Sequence, residues 1–188
     1  MARSLGILTG DTVVARARSA IGSRTVYALG QGGRNPRAAH PGSRLLLVGP
    51  PRLDCSGFAA WCVGVDRYLP NGAVPHLPGG EWFETTQLCR DGRTPFGYVT
   101  AILWAAAEPG DLLAYPDSSG RQGHVGVVSD IAPGWGPARV IHCSAGNFRA
   151  TGDAIQETGP EVFLPESGRG SMVLRVAWVQ SKGVPRVT

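Results

Sequence analysis

The sequence predicts an α+β domain whose sheet is antiparallel and comes mainly from the second half of the chain. Three observations carry this. Helix-spaced apolar residues fall in the first half, and after Pro109-Gly110-Asp111 the pattern changes to short strand-like runs. No strand–helix–strand alternation of the kind that builds a parallel sheet is present. The 188 residues suit one domain, 1–188, with 34–52 read as a surface insertion and 180–188 as a polar tail. At 43% hydrophobic and 17% charged residues, the chain can form a packed core and is not compositionally disordered.

Taken in order, the elements follow from spacing and punctuation. Thr12 to Ile21 is predicted helical, with Asp11 as N-cap and Val13, Val14, Ala17, Ala20 and Ile21 at helical spacing before Gly22. Tyr27 to Gly33 is a glycine-rich turn region, and 34–52 is predicted to hold one short strand around Leu45–Val48. Phe58-Ala-Ala-Trp-Cys-Val63 is continuously apolar and predicts a buried helix opening near Cys55. A proline-rich loop over 70–80 precedes a second helix, Glu81 to Cys89, stopped near Gly92. Strands are expected at Leu112–Tyr115, His124–Ser129, Ala138–His142 and Met172–Val179.

Composition excludes several function classes. The 27 Gly and 15 Pro show no three-residue period, which removes collagen-like and low-complexity readings. The net charge of +4 is carried by Arg scattered singly, without the clustered stripe of a nucleic-acid surface, so no nucleic-acid partner is expected. Lys182 is the only lysine and lies in the polar tail, which argues against lysine-based covalent chemistry. No apolar run approaches a membrane span, and the N-terminus lacks a signal-peptide core. Export, if it occurs, is expected by a route other than Sec, and a cytoplasmic site is the alternative.

Cysteine and histidine residues carry the chemistry. Cys55 opens a buried helix, where unpaired N–H groups and the positive end of the helix dipole favour a thiolate nucleophile. Asp54 is expected to cap that helix or to hold a cationic substrate group, Ser56 to donate a hydrogen bond, and Gly57 to permit close approach of helix and strand. A free cysteine is more often a buried structural thiol, but Asp54-Cys-Ser-Gly-Phe58 reverses that preference here. His124 begins a strand whose alternation puts His124, Gly126 and Val128 on one face, from which it could serve a thiol on a facing helix as general base. His142, ending Ala138-Arg-Val-Ile-His142, is placed to orient it. Tyr27 is a candidate for the active-site rim, the alternative being a tyrosine at the core edge. His40 and His76 are read as solvated loop residues. Cys62 is read as core, and Cys143 as pointing away from His142. Without a CxxC pair, Cys55, Cys62, Cys89 and Cys143 give no zinc spacing, so no metal or other cofactor is expected.

These motifs together resemble the NlpC/P60 cysteine peptidases of bacterial cell-wall metabolism. Val14–Gly22 with Tyr27-Ala-Leu-Gly30 is similar to the family's leading helix and tyrosine-glycine segment, and Leu53-Asp-Cys-Ser-Gly-Phe-Ala-Ala-Trp61 to its nucleophile helix. Glu84–Gly92, Glu108-Pro-Gly-Asp-Leu-Leu113, Gly123-His-Val-Gly-Val-Val128 and Val140-Ile-His142 follow in the family's order. The resemblance spans about Val13 to Val179. It implies a papain-like α+β fold, with helices packed on an antiparallel sheet of about five or six strands. Cys55 would be the nucleophile, His124 the base and His142 the orienter, with Tyr27, Asp54 and Ser56 at the end that binds the substrate's amine. The implied activity is hydrolysis of an amide bond in peptidoglycan stem peptides, commonly between D-glutamate and the diamino acid. Alternatives are acyl transfer or deamidation on another acyl substrate, or a catalytically idle wall-binding module. Tyr27 precedes Cys55 by 28 residues, wider than the family's spacing, because 34–52 intervenes. A bare catalytic domain suits an antibacterial effector, a phage lysin or a recycling enzyme; an effector would have a cognate inhibitor or immunity protein as partner.

Overall fold

A computed structural model describes residues 8–42, 49–67, 83–95, 97–164 and 168–179. The expected strand at 45–48, the 70–80 loop, His76 and the 180–188 tail lie outside the described residues. The first helix, α1, runs Gly10–Ser19 and starts earlier than its spacing suggested. Its N-cap is Thr9 rather than Asp11. Thr9 Oγ1 accepts from the Thr12 amide at 3.2 Å, and Thr12 Oγ1 accepts from the Thr9 amide at 2.8 Å. This reciprocal box satisfies two helix-start amides and leaves Asp11 in the first turn, where the helix dipole favours an acid.

Two short strands, β1 (Val26–Tyr27) and β2 (Arg52–Leu53), pair in parallel with Tyr27 opposite Leu53. Helix α2, Cys55–Cys62, follows at once and is buried throughout, as its apolar sequence requires. The described part of the 34–52 segment is anchored rather than loose. The Pro36 carbonyl accepts from Arg16 on α1, and the Ala38 carbonyl accepts from Trp61 Nε1 at 2.9 Å. His40, expected in solvent, is half-buried: its Nδ1 accepts from the Gly42 amide at 3.0 Å and its Nε2 meets Thr25 Oγ1 at 3.3 Å. Helix α3 is Thr85–Asp91, capped by Glu84, whose carboxylate accepts from the Thr86 and Gln87 amides.

The remaining strands form one antiparallel sheet of six: β3 (Val99–Ile102), β4 (Leu112–Tyr115), β5 (His124–Ala132), β6 (Gly136–Cys143), β7 (Ile155–Thr158) and β8 (Met172–Val176), in the spatial order β3-β8-β4-β5-β6-β7. The fold is therefore α+β, as predicted. Strands β3 and β7 and the helix α4 (Ala145–Thr151) were not foreseen. β7 has only one apolar residue, Ile155, and so gives no alternation to detect.

Two clusters divide the core. The larger joins α1 and α2 to Leu112, Ala114, Val125, Val127, Ile141 and Cys143. The smaller holds Leu113, Tyr115, Val128, Val140, Val173 and Phe163. Alternation along each strand separates the two sets onto opposite sides of the sheet.

Candidate active site

Cys55 is the first residue of α2. Asp54 before it is extended and accepts from the Gly57 amide at 2.8 Å, so the carboxylate caps the helix. It also accepts from the Gly30 amide at 2.6 Å and forms an ion pair with Arg67 Nη1 at 2.7 Å. Both side chains of this pair are buried, at 0% and 1% exposure for Arg67 and Asp54. Arg67 further donates to Ser56 Oγ at 2.9 Å and to the Gln31 carbonyl at 2.9 Å. Sequence reasoning assigned Asp54 a cap or a cation, and missed Arg67 altogether. A lone arginine in Val-Asp-Arg67 carries no local sign that it will be buried.

Gly57 has a different task from the one its sequence suggested. A Cβ there would lie 2.8 Å from both Arg67 Nη1 and the Gln31 carbonyl, so the missing side chain admits this network and the 31–33 turn rather than a strand.

The Tyr27 hydroxyl and the Val125 and Ser56 backbone amides are near enough to act on the Cys55 thiol electrostatically. Pairing of β1 with β2 brings Tyr27 here across a separation of 28 positions, because Leu53, opposite Tyr27, is two residues from Cys55. Burial pushes the thiol up to about 12, with the Asp54 carboxylate acting the same way. The two backbone amides and the Arg67 guanidinium pull in the opposite direction but are outweighed. The helix-start amides therefore act in the direction expected of them, and burial opposes them by favouring the thiol.

His124 and His142 meet on the smaller cluster's side of the sheet. Nε2 of His124 and Nδ1 of His142 share a hydrogen bond at 2.7 Å, and Nε2 of His142 meets Thr158 Oγ1 at 3.0 Å. Gly126 lies opposite His142 in the β5–β6 pairing, and a Cβ on it would stand 3.0 Å from that of His142 and 2.5 Å from Val140 Cγ1. Phe163, fully buried, stacks on the His124 ring with centroids 5.2 Å apart and planes 15° from parallel. Burial drives both imidazoles toward their neutral forms, His142 down to about 4 and His124 well below its ordinary 6.5, with the neighbouring His142 adding to the effect on His124.

The expected meeting of His124 with a thiol on a facing helix takes another form. Helix α2 packs against the Val125 and Val127 side of β5, whereas the His124 ring turns to His142 and Phe163. No hydrogen bond joins the Cys55 thiol to His124 among the described residues. They are neighbours through the start of β5, whose Val125 shares the larger core cluster with Cys55. Cys143 points away from His142, as alternation predicts, and its thiol meets the Leu53 carbonyl at 3.5 Å. Cys62 and Cys89 are core residues.

A cavity of about 400 Å³ opens beside Cys55, with Tyr27, Asp54, Ser56, Arg67, Glu84 and Asp117 among its lining residues. Its walls thus combine three carboxylates and one guanidinium with the Cys55 thiol. Among the described residues no three or more His, Cys, Asp or Glu side chains gather in a metal-holding arrangement. No helix among them is long and apolar enough to cross a membrane.

No protein-family model and no curated protein matches the chain. Among solved structures it is similar to the structure of NlpC1 from Trichomonas vaginalis, with a TM-score of 0.48 and 16% sequence identity. The match covers 91% of this chain and 45% of that one, so the chain spans less than half the length of that protein.

Proposed function

We propose that the chain is a cysteine hydrolase of the NlpC/P60 kind that cleaves an amide bond in peptidoglycan stem peptides, between D-glutamate and the diamino acid. The observation that carries this reading is the junction at the start of β5. A cysteine at the start of a buried helix packs in one core cluster with Val125 of β5, next in the chain to a histidine whose far nitrogen is already held by a second histidine. The motif order Asp-Cys-Ser-Gly-Phe, Gly-Asp-Leu and Gly-His-Val-Gly supports the same reading.

The resting state in this mechanism is a neutral thiol and a neutral imidazole not yet joined by a hydrogen bond. When an acyl group occupies the cavity, the thiol comes within reach of the free nitrogen of His124. The S–H proton passes to that nitrogen as sulfur attacks the carbonyl carbon. The Cys55 amide, at a helix start where N–H groups lack intrahelical acceptors, holds the developing oxyanion. His124 then protonates the leaving amine and afterwards takes a proton from the water that releases the acyl group. His142 holds the His124 ring, and Tyr27, Asp54 and Ser56 contact the substrate's amine end, Asp54 sharing its charge with Arg67.

Mass spectrometry of muropeptides digested by the purified protein tests this. Wild type should split the stem peptide and expose one new amine, and Cys55→Ala should lose about 10⁴-fold or more in rate. Full activity in Cys55→Ala overturns the reading. A product heavier by an acyl group, or changed by about one dalton, would indicate transfer or deamidation instead.

A further inference from the structure

The mechanism needs an unprotonated nitrogen on His124, and a neutral imidazole supplies one only in the correct tautomer. One polar chain crosses three adjacent strands: His124 on β5, His142 on β6 and Thr158 on β7, with contacts of 2.7 and 3.0 Å. It ends where the Thr158 hydroxyl donates to the Gly159 carbonyl at 2.8 Å.

That last bond orients the rest. A carbonyl can only accept, and a hydroxyl has one proton. With this proton on Gly159, the Thr158 oxygen offers His142 a lone pair, so Nε2 of His142 carries the proton and its Nδ1 is bare. Nδ1 then accepts from His124 Nε2–H, which leaves Nδ1 of His124 bare. The reverse order would turn the Thr158 hydroxyl away from Gly159 and place a proton on His124 Nδ1, where it blocks the base.

Burial makes the distinction matter. Both rings are nearly excluded from solvent, at 8% and 4% exposure, so bulk water does not compete for their nitrogens. Phe163 covers the His124 face and limits rotation of the ring.

We propose that Thr158 is a positioning residue: by donating to the Gly159 carbonyl it sets the tautomers of His142 and His124, so that Nδ1 of His124 stays open to receive the Cys55 proton. This rests on the reading of His124 as the base. During attack the S–H bond breaks and an N–H bond forms at Nδ1, while His124 Nε2–H keeps its bond to His142. The chain therefore accommodates imidazolium without rearranging.

Long-range proton–nitrogen correlation spectra of protein with ¹⁵N-labelled histidine report each tautomer directly, without substrate. At pH 7.5 wild type should show His124 and His142 both as Nε2–H forms. Thr158→Val, which keeps the shape but not the oxygen, should populate the Nδ1–H forms and lower kcat about 10-fold or more with little change in KM; Thr158→Ser should restore both. A wild-type spectrum with His124 as Nδ1–H overturns the proposal, whether or not any variant folds. So does a folded Thr158→Val whose tautomers are unchanged. The hydrolase reading stands or falls separately, on whether wild type splits stem peptides at all.

Discussion

Two buried polar networks flank Cys55, and they are built on opposite principles. On the cavity side, Asp54, Arg67 and Ser56 form an ion pair with a hydroxyl attached, closed by the Gly57, Gly30 and Gln31 backbone groups. On the sheet side, His124, His142 and Thr158 form a chain of groups that burial holds neutral. Under the proposed function, the difference separates a fixed charge pair from a group that must pass a proton. A permanent charge pair fixes the 30–33 turn, the helix start and residue 67 to one another, and its protons do not need to move. A base must gain and lose a proton, so it is better made from groups close to neutrality whose direction is set by hydrogen bonds.

The largest expected effect that would sharpen this contrast is on the charged side. Arg67→Met strands a buried carboxylate and should cost about 3–5 kcal/mol, measured by urea unfolding. Adding Asp54→Asn should recover part of it, and a cost for the single variant below about 1 kcal/mol would erase the distinction between the networks. The neutral side should instead respond to pH. The fold favours uncharged His142, with a folded value near 4 against 6.5 for the free group. Stability should therefore be full above about pH 6.5 and fall as pH drops toward 4, a loss on the order of 3 kcal/mol for this residue. His124 acts in the same direction. Unfolding midpoints that stay flat between pH 7 and 4.5 would contradict the neutral pair. The smallest effect belongs to the ring that covers it. Phe163→Leu keeps most of the volume and should cost about 1 kcal/mol, with a larger proportional loss in kcat than in thermal midpoint.

Much of the setting of Cys55 was legible locally. The start of α2 follows from Asp54 as cap and from an uninterrupted apolar run, and β4 matches its predicted residues because Leu112–Tyr115 is apolar and bounded by turn residues. Strand alternation correctly grouped His124 with Gly126 and Val128, and separated His142 from Cys143. Local pattern also misled. Asp11 looked like a cap because the competing Thr9–Thr12 box uses two threonines rather than the more familiar acidic partner. His40 looked solvated because nothing near it in the chain announces its contact with Thr25.

Local chemistry by itself determined that Cys55 begins a buried helix, that His124 begins a strand, and that an α+β domain contains them, since caps, periodicity and turn residues act within a few positions of one another. The tertiary structure decided the protonation states and the company each residue keeps. It put Arg67 against Asp54, Phe163 over His124 and Thr158 beneath His142, and it set burial against the thiolate-favouring helix start at Cys55. Those outcomes depend on desolvation and on contacts between residues 11 to 39 positions apart, and such quantities exist only once the chain has closed upon itself.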